Sequence, residues 1–337
     1  MVDVQKPVLI LGGAGQVGVR AAQALRQLQP ALPIAIGARD LAQARVIAHE
    51  VGGARAARID LSRGDLGLPA GEAYGAVAAI LKDEALHALQ FAQGRGVPYL
   101  SISSGLLDIG PEVSAAILRP GAAPVLLASH CLAGMAVLAA LALARDLARV
   151  EAVRVALILD EQDMGGPAAM ADFERLSAIS TAGLVRDGGA FVWRSGDAGQ
   201  TVVHSVDGTA MAGQAIATLD VPALAMATGA PDVRFDMALG ETASRRRGEA
   251  FSTEVRIELD GEGKDGQPAR RRCDLVHPDG QRPLTALGVA LGIEALLGLG
   301  GGRPAAPGLY YPEALVDAAY AVRRLREFGA VIDVGEG

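Results

Sequence analysis

The sequence predicts an α/β protein in two parts, a doubly wound parallel sheet followed by an α+β unit with a mainly antiparallel sheet. Three observations carry that expectation. Over the first 130 residues, short apolar runs alternate with helical patterns, as in parallel strands joined by helical crossovers. Those runs are continuously apolar, which fits strands covered by helices on both faces. Further on, Phe251, Thr253, Val255, Ile257 and Leu259 alternate with Ser252, Glu254, Arg256 and Glu258, the period of a half-buried antiparallel strand. A chain of 337 residues, half of them apolar, suits two domains better than one core.

In order, Val8–Leu11 reads as the first strand and Gln16–Leu28 as the first helix. Ile34–Ile36 and Leu41–Val51 form the second strand and helix, and Arg58–Leu61 closes a third strand. Ala76–Leu81 is a fourth strand with a helix from Asp83 to Gln93 behind it. Tyr99–Ile102 and Val125–Ala128 follow as the fifth and sixth strands, and a long Ala/Leu helix spans about 132 to 148. Beyond Val150 the pattern changes. Val153–Leu159 is a strand, DGEGKDGQP is the loop of a hairpin, and Arg271–Val276 is its return. Gly188–Gly189, Gly196 and Asp207–Gly208 punctuate further short strands. Two helices close the chain, Thr285–Leu297 and Pro312–Phe328, the second with proline at its start and Gly329 past its end.

Composition narrows the partners. The formal net charge is −7, without long runs of one sign. The two basic clusters, Arg245 to Arg247 and Arg270 to Arg272, read as solvated surface, so no nucleic-acid partner is expected. Two cysteines, Cys131 and Cys273, exclude a disulfide-rich secreted scaffold and fit a reduced compartment. The start MVDVQKPVLILGG has an acid where a signal peptide needs a base. The most apolar stretch, residues 124 to 147, is interrupted by His130, Arg145 and Asp146, so it reads as a buried helix rather than a membrane span. A cytoplasmic protein with no membrane contact is expected.

VLILGGAGQVG holds Gly13-x-Gly15-x-x-Gly18 directly after the first strand, at the opening of the first helix. In that context the motif predicts a Rossmann dinucleotide site. Gly13 permits the tight turn, Gly15 lets the pyrophosphate approach the backbone, and Gly18 lets helix and strand pack closely. The free N–H groups of Gln16 and Val17 open the helix, where an anion is favoured. After the second strand, IGARD places Arg39 where an NAD enzyme carries an acid. A guanidinium can grip a 2′-phosphate, so NADP(H) is expected in preference to NAD(H). Asp40 is the alternative ribose ligand. Asp60, at the end of the third strand, is either an adenine neighbour or a helix cap.

Ligands of such sheets sit beyond the carboxyl ends of the strands. Lys82 and Asp83, Ser103 and Ser104, and Ser129, His130 and Cys131 should therefore surround the nicotinamide, with Ser103 a cofactor contact. Lys82 could hold a substrate carboxylate or protonate a forming alcohol or amine, and His130 titrates near neutrality. Cys131 would open a helix, which favours thiolate. Each has a plain alternative, namely a surface lysine, a capping histidine and a buried apolar cysteine. The scattered His49, His87, His204 and His277 give no metal-ligand spacing, so no metal is expected.

With these residues in view, the chain resembles the saccharopine dehydrogenase-like family. The resemblance rests on VLILGGAGQVG with IGARD behind it, GVPYLSIS, the Gly/Pro-punctuated middle, and the ending LTALGVALGIEALLGLG to PGLYYPEALVDAAYAVRRLREFG. It implies a Rossmann domain of residues 1–129 and 303–337, with a substrate and dimerisation domain of residues 130–302 inserted between. It also implies a homodimer and redox chemistry at C–N or C=O bonds of amino-acid-like substrates. Family members acting on amino acids often carry an acidic Pro-Gly turn after the sixth strand. Here ASHCLAGM stands in its place, so the saccharopine reaction itself does not carry over. The expected function is hydride transfer between NADP(H) and a small carbonyl, imine or amino-acid-like substrate. The alternatives are a semialdehyde dehydrogenase using Cys131 and a non-catalytic NADP-binding protein.

Overall fold

The computed structural model describes residues 6–163 and 165–336. Its first half runs β1 (Val8–Leu11), α1 (Gln16–Leu28), β2 (Ile34–Ala38), α2 (Leu41–Val51) and β3 (Ala54–Arg58). Next come β4 (Ala76–Ala79), α3 (His87–Arg95), β5 (Tyr99–Ser101), α4 (Gly110–Leu118) and β6 (Pro124–Leu127). After a 3-10 turn at Cys131–Gly134 follow α5 (Met135–Ala144), β7 (Leu147–Asp160), α6 (Pro167–Ile179), β8 (Gly183–Asp187) and β9 (Ala190–Arg194). The chain goes on through β10 (Gln200–His204), β11 (Ala210–Ala215), α7 (Asp220–Thr228), β12 (Asp232–Gly240), α8 (Ala243–Arg246), β13 (Thr253–Gly263) and β14 (Pro268–His277). It ends with α9 (Gln281–Leu297), β15 (Gly308–Tyr310), α10 (Pro312–Leu315), α11 (Ala318–Glu327) and β16 (Val331–Glu336).

The first sheet has the order β15-β6-β5-β4-β1-β2-β3, with every pairing parallel. This is the doubly wound order of a Rossmann sheet with one strand added at the β6 edge. The second sheet runs β10-β11-β12-β7-β13-β14-β16, with β8 and β9 joined to it through β12. Its pairings are antiparallel except β12 with β7. Both sheets agree with the predicted fold class. The tail is divided between them: β15 extends the parallel sheet and β16 pairs with β14 in the second.

The two cores meet at α9. Leu284, Leu287 and Leu291 face the core of the second sheet, while Val289, Ala290 and Ile293 face the parallel sheet with Val8 and Ile10. Helix and neighbours approach closely because two positions have no side chain. A Cβ on Gly288 would lie 2.6 Å from the Ala133 carbonyl oxygen, and one on Gly292 2.7 Å from a Leu100 methyl.

Several boundaries differ from the sequence expectations, each for a local reason. The long helix expected over about 132 to 148 is only Met135–Ala144. Leu132 and Ala133 take left-handed φ values of 54° and 52°, and the chain turns into β7 from Leu147. The helix expected from Asp83 begins at His87, because the Asp83 carboxylate accepts from the Ala88 N–H at 2.6 Å. The last helix is split at Val316 and Asp317, and the Asp317 carboxylate caps the second piece. The expected hairpin loop shrinks to residues 264–267, with Gly261 seated at an irregularity where a Cβ would strike the Arg149 carbonyl. The third strand ends at Arg58, and Asp60 turns the chain by accepting from Ser62. Helices α4, α6 and α7 and strand β16 had no sequence expectation.

The arginine cluster at residues 245–247 is not simply solvated. Arg245 is 12% exposed and pairs with Asp160 at 3.2 Å, and Arg246 pairs with Asp207 at 2.8 Å. Cys131 and Cys273 are both free. No helix among the described residues is long and apolar enough to cross a membrane.

Candidate active site at the strand ends

The glycine turn folds as its spacing requires. Gly12 takes φ +78°, Gly13 is buried, and the Gly15 N–H donates to the Gly12 carbonyl at 2.9 Å. A Cβ on Gly18 would lie 2.2 Å from the Gly12 oxygen, so helix and turn touch only because that side chain is absent. Gly15 differs: it is exposed, and a Cβ there would meet only the Gly12 oxygen, at 3.2 Å. The helix opens at Gly15 without a side-chain cap, so its first N–H groups stay open to an anion. These features fit a pyrophosphate group: the loop leaves the space that a Cβ would fill, next to uncapped donors. Gly37, at the end of β2, accepts from the N–H groups of Gly12 and Gly13, both at 3.1 Å. Sequence reasoning gave Gly37 no role.

Beside the turn, Arg39 is exposed and has no hydrogen-bond or ion-pair partner among the described residues. Asp40 is committed, because its carboxylate accepts from Ala42 N at 2.8 Å and Gln43 N at 3.3 Å to cap α2. Asp60 closes its own turn with Ser62 rather than capping a helix. Gln16 is held by α9, its side-chain oxygen accepting from Arg282 at 3.1 Å, and Val17 is partly buried.

Lys82, Ser103 and Ser104 come together beyond β4 and β5. Lys82 Nζ donates to Ser104 Oγ at 3.2 Å and pairs with Asp108 Oδ2 at 3.0 Å. The same carboxylate binds Arg175 of α6 and accepts from the Gly105 N–H. Arg175 also donates to the Ser103 carbonyl at 3.0 Å and to Asp172 at 2.9 Å. Helix α6 thus reaches across from the second half of the chain and leaves the Lys82 side chain only 17% exposed. Gly105 admits it, since a Cβ there would come 2.4 Å from a Leu176 methyl. Asp108, Arg175 and Glu112 were missed in the sequence. A lone acid in the apolar GPEVSAAIL segment was the one available sign of Glu112.

His130 and Cys131 are placed differently from expectation. The His130 side chain is sealed from solvent, edge-on to Tyr311 at 5.1 Å between ring centres and 3.7 Å from Glu313. Neither ring nitrogen has a hydrogen-bond partner among the described residues, and burial pushes the imidazole down to about 3, so it is neutral at working pH. Cys131 does not gain the thiolate-favouring setting expected of a helix start. Burial, then the Asp220 carboxylate, pushes its thiol well above the ordinary range. Its N–H donates to Asp220 at 2.8 Å. No group of three metal-ligating side chains occurs among the described residues.

Fold and loop together define a Rossmann-type α/β protein with a second, mixed sheet. No protein-family model and no curated protein matches the chain. Among solved structures, apo saccharopine dehydrogenase (L-Glu forming) from Saccharomyces cerevisiae matches over 98% of this chain and 100% of that one, with a TM-score of 0.67 and 12% identity. The chain therefore has a saccharopine dehydrogenase-like fold, as the sequence resemblance implied. Weaker likenesses include an oxidoreductase from Agrobacterium radiobacter in complex with NAD+, L-tartaric acid and magnesium (TM-score 0.46, 13% identity, 97% and 98% covered). Another is scyllo-inositol dehydrogenase from Lactobacillus casei with bound NAD(H) and scyllo-inositol (0.45, 12%, 98% and 99%).

Proposed function

We propose that this protein is an NADP(H)-dependent oxidoreductase acting on a small carbonyl, imine or amino-acid-like substrate. The observation that carries the reading is the glycine turn, in which Gly18 is sterically required and Gly15 is left open toward solvent. The free Arg39 guanidinium beside a committed Asp40 favours the 2′-phosphorylated dinucleotide, because a carboxylate there would repel it.

The bound nicotinamide would supply the hydride chemistry. The chain would supply orientation and the proton. Lys82 fits the proton role better than His130: its ammonium stands at the strand ends, whereas the imidazole is sealed and neutral. An ammonium has three donors, and Ser104 and Asp108 engage two of them. The third remains for a substrate oxygen or nitrogen. Helix α6 limits water at this point, which strengthens such a contact. The Cys131 environment opposes a thiolate nucleophile.

The test is NADPH oxidation with a panel of keto acids and imines. Lys82→Met should lower kcat by about 100-fold or more while NADPH affinity stays within about two-fold. Unchanged turnover in Lys82→Met would remove Lys82 from the mechanism. NADPH binding without turnover across the panel would favour a non-catalytic binding protein.

A further inference from the structure

We propose that Glu112, a buried carboxylate on α4, is a positioning residue for Lys82 and acts through the Ser104 hydroxyl. The inference rests on the role given above to Lys82. Glu112 is 4% exposed, and both of its oxygens are engaged. Oε1 accepts from Ser101 Oγ at 2.7 Å and Oε2 accepts from Ser104 Oγ. A serine hydroxyl has a single proton. Ser104 commits it to Glu112, so toward Lys82 it presents only lone pairs, and the 3.2 Å contact is an N–H donation from the ammonium. Ser104 is fixed on a second side, where its backbone N–H donates to Ser129 Oγ at 3.2 Å.

The result is a run of alternating charge, Glu112, Lys82, Asp108 and Arg175, in which Ser104 is the relay between the first two. Tyr99 packs against the same carboxylate. Burial, then the charges of Glu112 and Asp83, pushes its hydroxyl well above the usual range, so it stays neutral. Without the Glu112 charge the Ser104 hydroxyl is free to rotate, its lone pairs are no longer held toward Lys82, and one of the two contacts that aim the ammonium weakens. A carboxylate that only fastened α4 to β5 would have no such effect on Lys82.

The chain contains three lysines, Lys6, Lys82 and Lys264, so its ¹⁵N lysine-ammonium spectrum is simple, and Lys82→Arg identifies the Lys82 signal. In Glu112→Gln and Ser104→Ala, ammonium-proton exchange at Lys82 should speed up about ten-fold, the equivalent of one lost hydrogen bond. Ser104→Thr, which keeps the hydroxyl, should remain near wild type. In turnover, both disruptive variants should lose about ten-fold in kcat, with KM and NADPH affinity nearly unchanged. Unchanged Lys82 exchange in Glu112→Gln, with a lowered Tm, would overturn the proposal and leave Glu112 a fastener of α4. If Glu112→Gln does not fold, Glu112→Asp, which leaves Ser104 intact but shortens the reach of the carboxylate to its hydroxyl, decides the same point: faster Lys82 exchange supports the proposal and unchanged exchange overturns it. The exchange measurement needs no substrate, so it stands even if the oxidoreductase reading fails.

Discussion

Gly15 and Gly18 guard different things, and their alanine variants should separate. A Cβ at Gly18 meets backbone at 2.2 Å, so Gly18→Ala should cost about 2 kcal/mol of stability and weaken dinucleotide binding as the turn shifts. A Cβ at Gly15 meets one oxygen at 3.2 Å but stands where the pyrophosphate must approach. Gly15→Ala should therefore keep Tm within a few degrees and still lose at least about ten-fold in NADPH affinity. Denaturation and fluorescence titration of the two variants check this, and equal losses of stability would contradict it. Both glycines and Lys82 were legible in the sequence because a strand end and a fixed spacing place them. Asp108, Glu112 and Arg175 were not, because their partners are set by how α4 and α6 fold back. His130 and Cys131 were legible as residues of the sixth strand end, but their burial was not. It depends on α7 and α10, which bring Asp220 and Glu313 against them from far along the chain.

At the scale of elements, α9 holds the two halves together through its small residues. Gly288 faces a backbone oxygen, which cannot move alone, whereas Gly292 faces leucine methyls that can turn aside. Gly288→Ala should destabilise the protein by about 2 kcal/mol and Gly292→Ala by less than about 1 kcal/mol, compared by urea unfolding. The reverse order would mean that α9 is not seated on the Cys131–Gly134 turn as described. The apolar pattern of α9 was plain in the sequence, but its sharing between two cores was not, since a helix buried all round carries no amphipathic direction. The break at Leu132 and Ala133 was hidden for a related reason. Nothing in a Leu-Ala-Gly run announces left-handed backbone, which tertiary contacts with α9 and Pro312 impose here.

At the scale of the molecule, the junction of the two halves holds Glu313, Asp220 and His130, each with a buried polar atom that has no partner among the described residues. Burial pushes Glu313 up to about 7 from 4.5 and Asp220 up to about 6 from 3.8, while His130 is driven down. A carboxyl whose pKa is raised by folding stabilises the fold while protonated. Its contribution is full below the unfolded value and is lost as pH rises through the folded one, here between about 4.5 and 7 for Glu313. His130 acts in the opposite sense, favouring the fold above 6.5 and losing that contribution as pH falls toward about 3. Glu313→Gln should therefore stabilise the protein at pH 8 by about 2 kcal/mol and have little effect at pH 5, measured by urea unfolding. Equal effects at the two pH values would show that the carboxyl is not held protonated by the fold. The two-sheet architecture was legible from periodicity alone. The division of the tail between the sheets was not, because β16 is a short edge strand whose partner, β14, lies more than fifty residues earlier.

The most direct measurement is a fluorescence titration of the purified protein with NADPH and with NADH, repeated on Arg39→Ala. NADPH should bind at least about ten-fold more tightly than NADH, and Arg39→Ala should remove most of that difference while leaving NADH binding nearly unchanged. Binding of neither dinucleotide by the folded protein would contradict the reading of the glycine turn. Tighter binding of NADH would contradict the reading of Arg39.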